Sequence, residues 1–426
     1  MPQIKDVLLE SNPWWSAPFK VDYKEREIYS EINRYMNMPH IIALTGLRRV
    51  GKTTLMYKMI EDAIGNGVPP RDIIYFSFEE FRNVEIRDIL SEYERISGGG
   101  LKERKRLLLF DEIQKLDGWE DQLKRIYDLN YGKVKIIISG SESLFIRKRS
   151  KESLGGRIFE FKVDTLSFKE FLIFRNFSYD NLIIYSKELL RLFNKFILTL
   201  GFPELMDVEE KEKIRKYVRE NVIEKVIYSD IPKLFELDSP STLESMLNII
   251  MDEPGQVINI QEIAKELQVS RRTASKYLSY LEWSFLSIKL YNFSRSRRKT
   301  ERKLKKYYPA LIAPEILFKD DRFYRSQVFE WLMVKLFGAE FFWRDAYKNE
   351  VDMVLGKKVA IPVEVKYGKI DVHGLLSFMS KFNVDRGYVL SYADEQIIRS
   401  GRRIIKVVPA FKALLDKKQL PRGGMP

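Results

Sequence analysis

The sequence contains no cysteine and only 2 histidines among its 426 residues. The absence of cysteine excludes a disulfide framework and any metal site built from thiolates. The scarcity of histidine argues against a metal site built from several imidazoles. A cytoplasmic protein is the simplest interpretation of this composition.

Long apolar runs are lacking as well. No run approaches the roughly 18 residues that a membrane-spanning helix requires. The first residues, Met1 to Asp6, do not have the basic and then apolar pattern of a secretion signal. We therefore expect no membrane partner.

Positive charge is in excess, with 73 lysines and arginines against 60 aspartates and glutamates and a formal net charge of +13. Such an excess favours a polyanionic partner, DNA or RNA. The hydrophobic content of 45% is that of a globular protein. The length of the chain predicts two to four domains.

A complete phosphate-loop motif, G-x-x-x-x-G-K-[ST], occupies residues 46–53. An apolar run at 40–45 precedes the motif and predicts a buried strand, and a run of helix formers follows it. The glycines allow backbone N–H groups to turn toward phosphates, which the helix N-terminus also attracts. The predicted nucleotide-binding residues here are Gly46, Leu47, Arg48, Arg49, Val50, Gly51, Lys52, Thr53 and Thr54.

A second motif completes the predicted nucleotide site. The apolar run at 107–110 predicts a buried strand that ends in Asp111 and Glu112. Lys52 would reach the β- and γ-phosphates, and Thr53 and Asp111 would bind Mg²⁺. Glu112 would polarise the attacking water. The predicted cofactors are therefore ATP and Mg²⁺.

A third buried strand is predicted at 134–138 and is followed by Ser139-Gly140-Ser141. A polar residue at this point could sense the γ-phosphate, and the sequence does not choose between Ser139 and Ser141. Strands that alternate with helical stretches predict a parallel α/β domain. The nucleotide would bind at the carboxyl ends of its strands.

These motifs resemble those of archaeal and bacterial AAA+-type P-loop ATPases that carry a C-terminal domain of restriction-nuclease type. The matching stretches are 46–55, 107–119 (LLLFDEIQKLDGW), 136–144 (IIISGSESL), 153–157 (SLGGR), 166–172 (LSFKEFL), 201–204, 230–232 and 363–367 (VEVKY). The resemblance implies that Arg157 acts as an arginine finger or sensor, in cis or across a subunit interface. The alternative for Arg157 is a solvated loop arginine.

The middle of the chain predicts two helical modules. Residues 174–238 have helical periodicity and few turn signals, which predicts a helical lid. Residues 239–308 predict a winged helix-turn-helix. In this module an amphipathic helix at 260–267 is followed by a turn, Ser270 caps the next helix, and the recognition helix covers 271–283.

This module would contact DNA in two places. The polar end of the recognition helix would enter a major groove, and a basic stretch at 294–306 would form a wing and neutralise phosphates. The predicted DNA-binding residues are Arg271, Arg272, Ser275, Lys276, Arg295, Arg297, Arg298 and Lys299. The alternative is a module that packs on the ATPase and contacts only protein.

The last part of the chain, 309–426, returns to short strands. Period-2 alternation places Glu364 and Lys366 on one strand face. Together with Asp352 on the preceding strand and Glu330 on a helix, they form the pattern of a restriction-nuclease core. The three acids would bind Mg²⁺ through oxygen ligands, and Lys366 would orient or deprotonate the attacking water. Such domains can also lose catalysis and remain as interaction modules.

One stretch departs from the expected pattern. Where Lys-x-Tyr-x-x-Asp would precede the nuclease-like domain, residues 305–310 are KKYYPA and the acid is missing. The predicted class is nevertheless a multidomain α/β protein. Its predicted parts are a parallel-sheet ATPase domain at 1–173, the helical lid at 174–238, the winged helix at 239–308 and a small α/β nuclease-like domain at 309–426.

The predicted function follows from these parts. We expect a Mg²⁺-dependent, ATP-hydrolysing AAA+-type protein that acts on or near DNA. The alternative is a signalling switch whose nucleotide state controls docking to a protein partner, with an inert nuclease-like domain.

Overall fold

The computed structural model describes residues 3–79, 81, 84–101, 103–141, 154–235, 237–302, 304–319, 321–356, 359–416 and 418–420, without the side chains of Arg297, Glu301, Arg302 and Pro314. It forms two compact units, Met1–Thr165 and Leu166–Pro426. Each unit contains a β-sheet with helices, so the predicted multidomain α/β class is confirmed.

The first unit contains a five-stranded parallel sheet with the order β2-β3-β4-β1-β5. Its strands are β1 Ile41–Thr45, β2 Ile73–Ser77, β3 Arg106–Asp111, β4 Val134–Gly140 and β5 Ile158–Lys162. Every residue of β1 and β3 is buried, which explains why the sequence shows continuous apolar runs there. The strands predicted at 40–45, 107–110 and 134–138 are therefore confirmed.

Helices connect and flank these strands. The α-helices of the first unit are Ile4–Ser11, Glu27–Asn33, Lys52–Gly65, Ile86–Ser97 and Trp119–Leu129, and its short 3₁₀ turns are Pro13–Trp15, Pro70–Asp72 and Ile113–Lys115. The helix Ile86–Ser97 shows why such segments fold. It buries Ile86, Ile89, Leu90 and Tyr93, which recur at the spacing of one helix face.

The second unit contains a nine-stranded mixed sheet with the order β13-β14-β12-β11-β10-β9-β7-β8-β6. Its strands are β6 Gln256–Ile258, β7 Ser287–Asn292, β8 Lys305–Pro309, β9 Phe341–Arg344, β10 Glu350–Leu355, β11 Ile361–Lys366, β12 Arg386–Ser391, β13 Gln396–Ser400 and β14 Arg403–Pro409. A core of ten buried residues, including Trp343, Phe378 and Val389, packs on this sheet.

Most helices of the second unit precede its last five strands. The α-helices are Phe168–Phe174, Ser186–Thr199, Lys211–Lys216, Ile231–Leu234, Pro240–Asp252, Ile260–Glu266, Arg271–Trp283, Arg297–Arg302, Pro314–Leu317, Arg322–Leu336, His373–Phe382 and Ala410–Leu415. A 3₁₀ turn covers Pro203–Leu205, and π-helical turns cover Tyr217–Ile223 and Val226–Asp230. Throughout the described ranges, we find no helix with both the length and the hydropathy needed to cross a bilayer.

The sheet of the second unit continues across one predicted domain boundary. The division predicted between 308 and 309 falls inside β8, and β7 pairs in parallel with β9 through Tyr291 and Phe341. Strands from the predicted winged helix and the predicted nuclease-like domain therefore share one sheet. The division predicted between 173 and 174 falls inside the helix Phe168–Phe174, beyond the boundary at Thr165.

The predicted wing differs from its expected form in one respect. The strands β7 and β8 pair as an antiparallel hairpin, but the basic stretch between them forms the helix Arg297–Arg302. Arginine and lysine are good helix formers and poor strand formers, which accounts for the difference. The two preceding helices have the predicted positions, and Ser270 caps the second through a hydrogen bond from the N–H of Thr273 (3.0 Å).

Candidate functional site

The phosphate loop begins directly after β1 and ends at the helix Lys52–Gly65. Gly46 has a φ of 145°, and a Cβ at this position would lie 2.1 Å from the carbonyl oxygen of Val163. Gly51, with a φ of 94°, precedes the helix. Both glycines are therefore required by the backbone itself, since other residues rarely adopt these angles.

Lys52 is the first residue of the helix, and its side chain folds back into the phosphate loop. Its side chain is buried, and Nζ donates hydrogen bonds to the carbonyl oxygens of Gly46 (3.1 Å) and Leu47 (2.9 Å). The ammonium group is thus fixed at the mouth of the loop rather than extended into solvent. The predicted contact of Lys52 with the β- and γ-phosphates stays a prediction.

Asp111 is the centre of a hydrogen-bond network at the carboxyl end of β3. Its carboxylate accepts hydrogen bonds from Thr53 Oγ1 (2.7 Å), from the hydroxyl of Tyr75 (2.9 Å) and from Ser139 Oγ. Burial, followed by the charge of Asp111, raises the pKa of Tyr75, so the phenol remains a donor. Tyr75 belongs to no motif, and no pattern in the sequence selects it.

Glu112 follows Asp111 in a left-handed backbone conformation with a φ of 52°. Its N–H contacts Ser139 Oγ at 3.2 Å, and its carboxylate accepts a hydrogen bond from Gln114 Nε2 at 2.6 Å. Gln114 also donates to Ser141 Oγ at 3.2 Å. The structure therefore brings both predicted serines to the acidic pair, Ser139 directly and Ser141 through Gln114.

The remaining loop residues take different positions. Leu47 and Val50 are buried, whereas Thr54 is exposed and Arg49 has a φ of 63°. The guanidinium of Arg48 lies 3.7 Å from the carboxylate of Glu79. The role of these five residues in nucleotide binding stays a prediction.

A buried arginine outside the motif supports the loop. Arg26 donates from Nη1 to the carbonyl oxygen of Val50 (2.8 Å) and from Nη2 to that of Asp164 (2.7 Å). Arg26 thereby joins the phosphate loop to the segment after β5. Its partners lie 24 and 138 residues away in sequence, so no local pattern predicts this contact.

Arg157 lies at the amino ends of the strands, whereas the phosphate loop lies at their carboxyl ends. Its carbonyl oxygen accepts a hydrogen bond from the N–H of Ile41, the first residue of β1, whereas the loop follows the last residue of that strand. A strand of five residues spans about 16 Å. The guanidinium pairs with Asp128, with Nε 3.0 Å from Oδ1. The role of Arg157 as an arginine finger or sensor, in cis or across a subunit interface, stays a prediction. Its neighbours 142–153 lie outside the described residues.

The second unit contains a separate cluster of buried charges. Lys366 Nζ lies 2.9 Å from Glu364 Oε2, and the backbone N–H of Val365 donates to Asp352 Oδ2 at 2.8 Å. The charge of Asp352 raises the pKa of both Glu364 and Glu330, so the three carboxyl groups lie close together. The four residues predicted for a nuclease-like core are therefore neighbours in the structure.

Two residues that the sequence analysis did not select complete this cluster. The hydroxyl of Tyr308 donates to Glu330 Oε1 at 2.6 Å, and Lys306 Nζ lies 3.6 Å from the same oxygen. Lys306 also forms an ion pair with Glu350. Both belong to the stretch where the expected acid is missing, and their period-2 spacing on β8 was the available signal.

Burial dominates the protonation of this cluster. It raises the pKa of Glu330 and raises that of Glu364 well above the usual range, with the charge of Asp352 as the next cause in both cases. Burial alone would lower the pKa of Lys306, but the adjacent carboxylates outweigh it and raise this pKa. Within the described ranges, no three histidine, aspartate or glutamate side chains are arranged to hold a metal ion. The metal role of Glu330, Asp352 and Glu364 stays a prediction.

The predicted DNA-binding residues are mostly exposed. Arg298 and Lys299 in the short helix of the wing are exposed. The exposed residues at the start of the helix Arg271–Trp283 are Arg271, Arg272, Ser275 and Lys276. Arg295 is exposed but donates to the carbonyl oxygen of Phe382. The side chain of Arg297 lies outside the described part of the chain.

Comparison with known protein families agrees with the geometry of the first site. Residues 38–172 match the family model described as an AAA domain. This segment is similar to AAA domains. Residues 190–310 and 326–412 match two models that are each described as a domain of unknown function, DUF8612 and DUF4143. Those descriptions name no activity for the parts predicted as a winged helix and a nuclease-like domain.

Three relatives show how far the similarity extends. The chain is 32% identical over 262 residues to Uncharacterized protein MJ1544 of Methanocaldococcus jannaschii, covering 60% of this chain and 57% of that protein. It is 25% identical over 400 residues to Uncharacterized protein MJ1637 of the same organism, covering 84% and 83%. It is 25% identical over 271 residues to an uncharacterized protein of Haemophilus influenzae, covering 62% and 66%. The chain thus spans less than two thirds of the first relative.

Two solved structures are similar to part of the chain. AMPPCP-bound DnaA from Aquifex aeolicus is 19% identical with a TM-score of 0.27, covering 62% of this chain and 89% of that one. A replication initiator DnaA bound to AMPPCP and single-stranded DNA is 18% identical with a TM-score of 0.28, covering 65% and 92%.

Proposed function

We propose that the protein is a Mg²⁺-dependent ATPase. The observation that carries this proposal is the meeting of Thr53 and Asp111, 2.7 Å apart, beside a phosphate loop whose lysine is already held in place. A hydroxyl and a carboxylate are hard oxygen ligands, and Mg²⁺ typically uses one or two protein oxygens together with phosphates and waters. These two residues therefore fit the ion.

Each residue of the site would make a separate contribution. Mg²⁺, when bound by Thr53 and Asp111, neutralises charge on the β- and γ-phosphates. Lys52 binds the same phosphates through its ammonium group. Glu112 accepts a proton from the attacking water and orients it, and Gln114 holds the Glu112 carboxylate by a hydrogen bond of 2.6 Å.

The backbone at Glu112 supports this assignment. A residue other than glycine with a φ of 52° is uncommon, and such strain tends to persist where a side chain must be aimed. Here Ser139 Oγ accepts the N–H of Glu112 and also donates to Asp111, which holds the strained turn. The N–H of Glu112 also lies 3.1 Å from Asp111 Oδ1, so the same contacts would hold Glu112 and the Mg²⁺ ligand next to it.

We further propose that the protein acts on DNA. The support is the exposed basic end of the helix Arg271–Trp283, together with Arg298, Lys299 and the net charge of +13. Exposed cations on a helix N-terminus and on a wing can contact base edges and phosphates respectively. The alternative, a switch that docks a protein partner, predicts no salt-dependent affinity for DNA.

The test combines both proposals in one preparation. Steady-state ATP hydrolysis by the full chain is measured with Mg²⁺, with EDTA, and with and without duplex DNA. Turnover that requires Mg²⁺ and disappears in Lys52→Ala supports the ATPase, and a change in turnover with DNA supports DNA as the partner. Absence of hydrolysis under all these conditions would remove the ATPase proposal.

A second candidate function, metal-dependent phosphodiester cleavage, rests on the buried cluster. The proximity of the Asp352 and Glu364 carboxyl groups, with Lys366 at 2.9 Å from Glu364, favours it. Two adjacent carboxylates fit one divalent ion with oxygen ligands. Cleavage of DNA or RNA that needs Mg²⁺ or Mn²⁺ and is lost in Asp352→Asn would support it, provided that ATP hydrolysis is unchanged. Lack of cleavage would favour the inert module.

A further inference from the structure

The second unit contains a cavity of about 450 Å³ that none of the assignments above uses. The volume falls within the range of about 300–1,000 Å³ that is usual for small-ligand sites. The cavity lies between the end of the helix Ser186–Thr199, the start of Lys211–Lys216, the helix Arg322–Leu336 and the residues that follow β11 and β12.

The described wall of this cavity contains three cationic residues and no acidic one. Lys211, Lys319 and Arg325 belong to its wall, and none of its described lining residues is an aspartate or a glutamate. Lys211 Nζ lies 5.4 Å from the ring centre of Phe318, and Arg325 Nη1 donates to the hydroxyl of Tyr367 at 3.2 Å. Three positive groups around one cavity produce a local positive potential that attracts an anion.

Aromatic rings form the other part of the wall. The ring centres of Tyr367 and Tyr392 are 4.8 Å apart, and Phe329 lies about 6 Å from both. Phe329 is buried, whereas both tyrosines are partly exposed and present ring surface to the cavity. The hydroxyl of Tyr392 donates to Asn194 Oδ1 at 2.8 Å, which fixes the ring. A fixed, partly exposed ring is a surface on which a planar base can stack.

The cavity shares two secondary-structure elements with the buried charge cluster. Tyr367 directly follows Lys366 at the end of β11, and Phe329 directly precedes Glu330. The cavity is therefore built on the same strand and helix as the buried charge cluster.

We propose that this cavity binds one nucleotide unit, with the base against Tyr392 and the phosphate between Lys211, Lys319 and Arg325. Phosphate and a planar base together match a wall that is both cationic and aromatic, which an acidic peptide would not require. The unit could come from a free mononucleotide or from a single strand. The inference goes beyond the proposed function, since neither the phosphate loop nor the basic helix contributes to this cavity.

The test measures binding of a short fluorescein-labelled oligothymidylate to the full chain at low salt, with dTMP and thymidine as competitors. The same titration in Lys52→Ala excludes any contribution of the phosphate loop. It also separates this proposal from that of ATP hydrolysis, because the cavity needs neither ATP nor turnover. Displacement by dTMP but not by thymidine identifies the free mononucleotide as a ligand, and binding of the oligonucleotide without displacement identifies the strand.

Three variants examine the two halves of the wall. Tyr392→Leu should weaken binding about five-fold or more, because one stacked base is lost. Tyr392→Phe retains the ring and should bind like the wild type, which keeps the proposal testable if the leucine variant does not fold. The double variant Lys211→Ala/Lys319→Ala should weaken binding and flatten its salt dependence.

The matched control is Lys213→Ala/Lys216→Ala, which removes two lysines whose side chains are 66% and 72% exposed from the same helix without touching the wall. Equal affinity of the wall variants and this control would overturn the proposal. Loss of binding in the lysine variant with unchanged binding in Tyr392→Leu would also overturn it, because the ligand would then be an anion without a stacked base.

Discussion

The hydroxyl of Thr53 donates a hydrogen bond of 2.7 Å to the carboxylate of Asp111, which lies 58 residues later in the chain. The strand order of the first unit explains this contact. Strand β4 lies between β1 and β3, so the residues after β1 and β3 meet across the carboxyl end of β4, where Ser139 lies. The parallel sheet thus assembles a hydroxyl, a carboxylate and a lysine at one edge.

Lys52 and Glu112 should have separable roles. Lys52→Ala should lose ATP binding, because the ammonium group that offsets phosphate charge is removed. Glu112→Gln should still bind ATP but hydrolyse it about 10²–10⁴-fold more slowly, because only the proton acceptor is lost. Calorimetric binding and steady-state turnover measure the two effects. Wild-type turnover in Glu112→Gln would remove Glu112 from the mechanism.

Gly46 should tolerate no side chain. In Gly46→Ala the new Cβ would lie 2.1 Å from the carbonyl oxygen of Val163 at a φ of 145°, so β1 or the loop must move. We expect loss of ATP binding and a free energy of unfolding lower by about 1–3 kcal/mol. Gly65→Ala is the matched control, because no atom lies within 4 Å of its Cβ. Equal melting temperatures of Gly46→Ala and Gly65→Ala would contradict this account.

Lys135 should stabilise the turn that leads into β1. Its Nζ donates to the carbonyl oxygens of Tyr35 (3.0 Å), Met38 (2.8 Å) and His40 (2.8 Å). Lys135→Met leaves these oxygens without that donor, and the free energy of unfolding should fall by about 1–3 kcal/mol. Chemical denaturation measures the loss. A stability equal to that of the wild type at pH 7 would show that water replaces the lysine at no cost.

The same lysine gives a pH dependence with a defined sign. Burial lowers the pKa of Lys135 to about 8, whereas the unfolded chain keeps a value near 10.4. Between these two values the unfolded state binds the proton more strongly, so the stability of the wild type should rise with pH relative to Lys135→Met. The difference should grow by up to about 1.4 kcal/mol per pH unit. Denaturation of the wild type and of Lys135→Met at several pH values between the two pKa values measures this change. A difference in the free energy of unfolding that stays constant with pH would refute the prediction.

The sequence was sufficient for those parts of the site that are local in the chain. The phosphate loop, the acids after β3 and the serines after β4 each follow an apolar run, and parallel strands bring such positions to one edge. Arg26 and Tyr75 could not be found in this way, because their partners are distant and no spacing rule links them. For Arg157 a motif was present, but the motif did not predict that this residue would precede β5, at the amino end of the strand.

In the second unit, secondary structure could be predicted better than domain division. The strands that carry Asp352 and the pair Glu364 and Lys366 form as predicted, and the helix at 271–283 has the predicted bounds, because alternation and capping are local signals. The pairing of β7 with β9 is not local, since Tyr291 and Phe341 are 50 residues apart. Composition and turn-forming residues therefore do not predict that one sheet continues across the predicted domain boundary.

The exposed cations of the helix Arg271–Trp283 and of the wing should contribute differently to DNA binding. Arg298→Gln/Lys299→Gln should weaken binding to all duplex sequences and reduce the slope of affinity against salt by about two, because two phosphate contacts are lost. Arg272→Ala should instead change the preference among sequences, since residues at the start of such a helix face base edges. Competition assays with duplexes of different sequence at several salt concentrations separate the two effects.

Lys213→Gln/Lys216→Gln removes the same charge from another exposed helix and should leave the slope unchanged. An equal reduction in this control would mean that only the net charge attracts DNA, and unchanged affinity in every variant would favour docking to a protein partner.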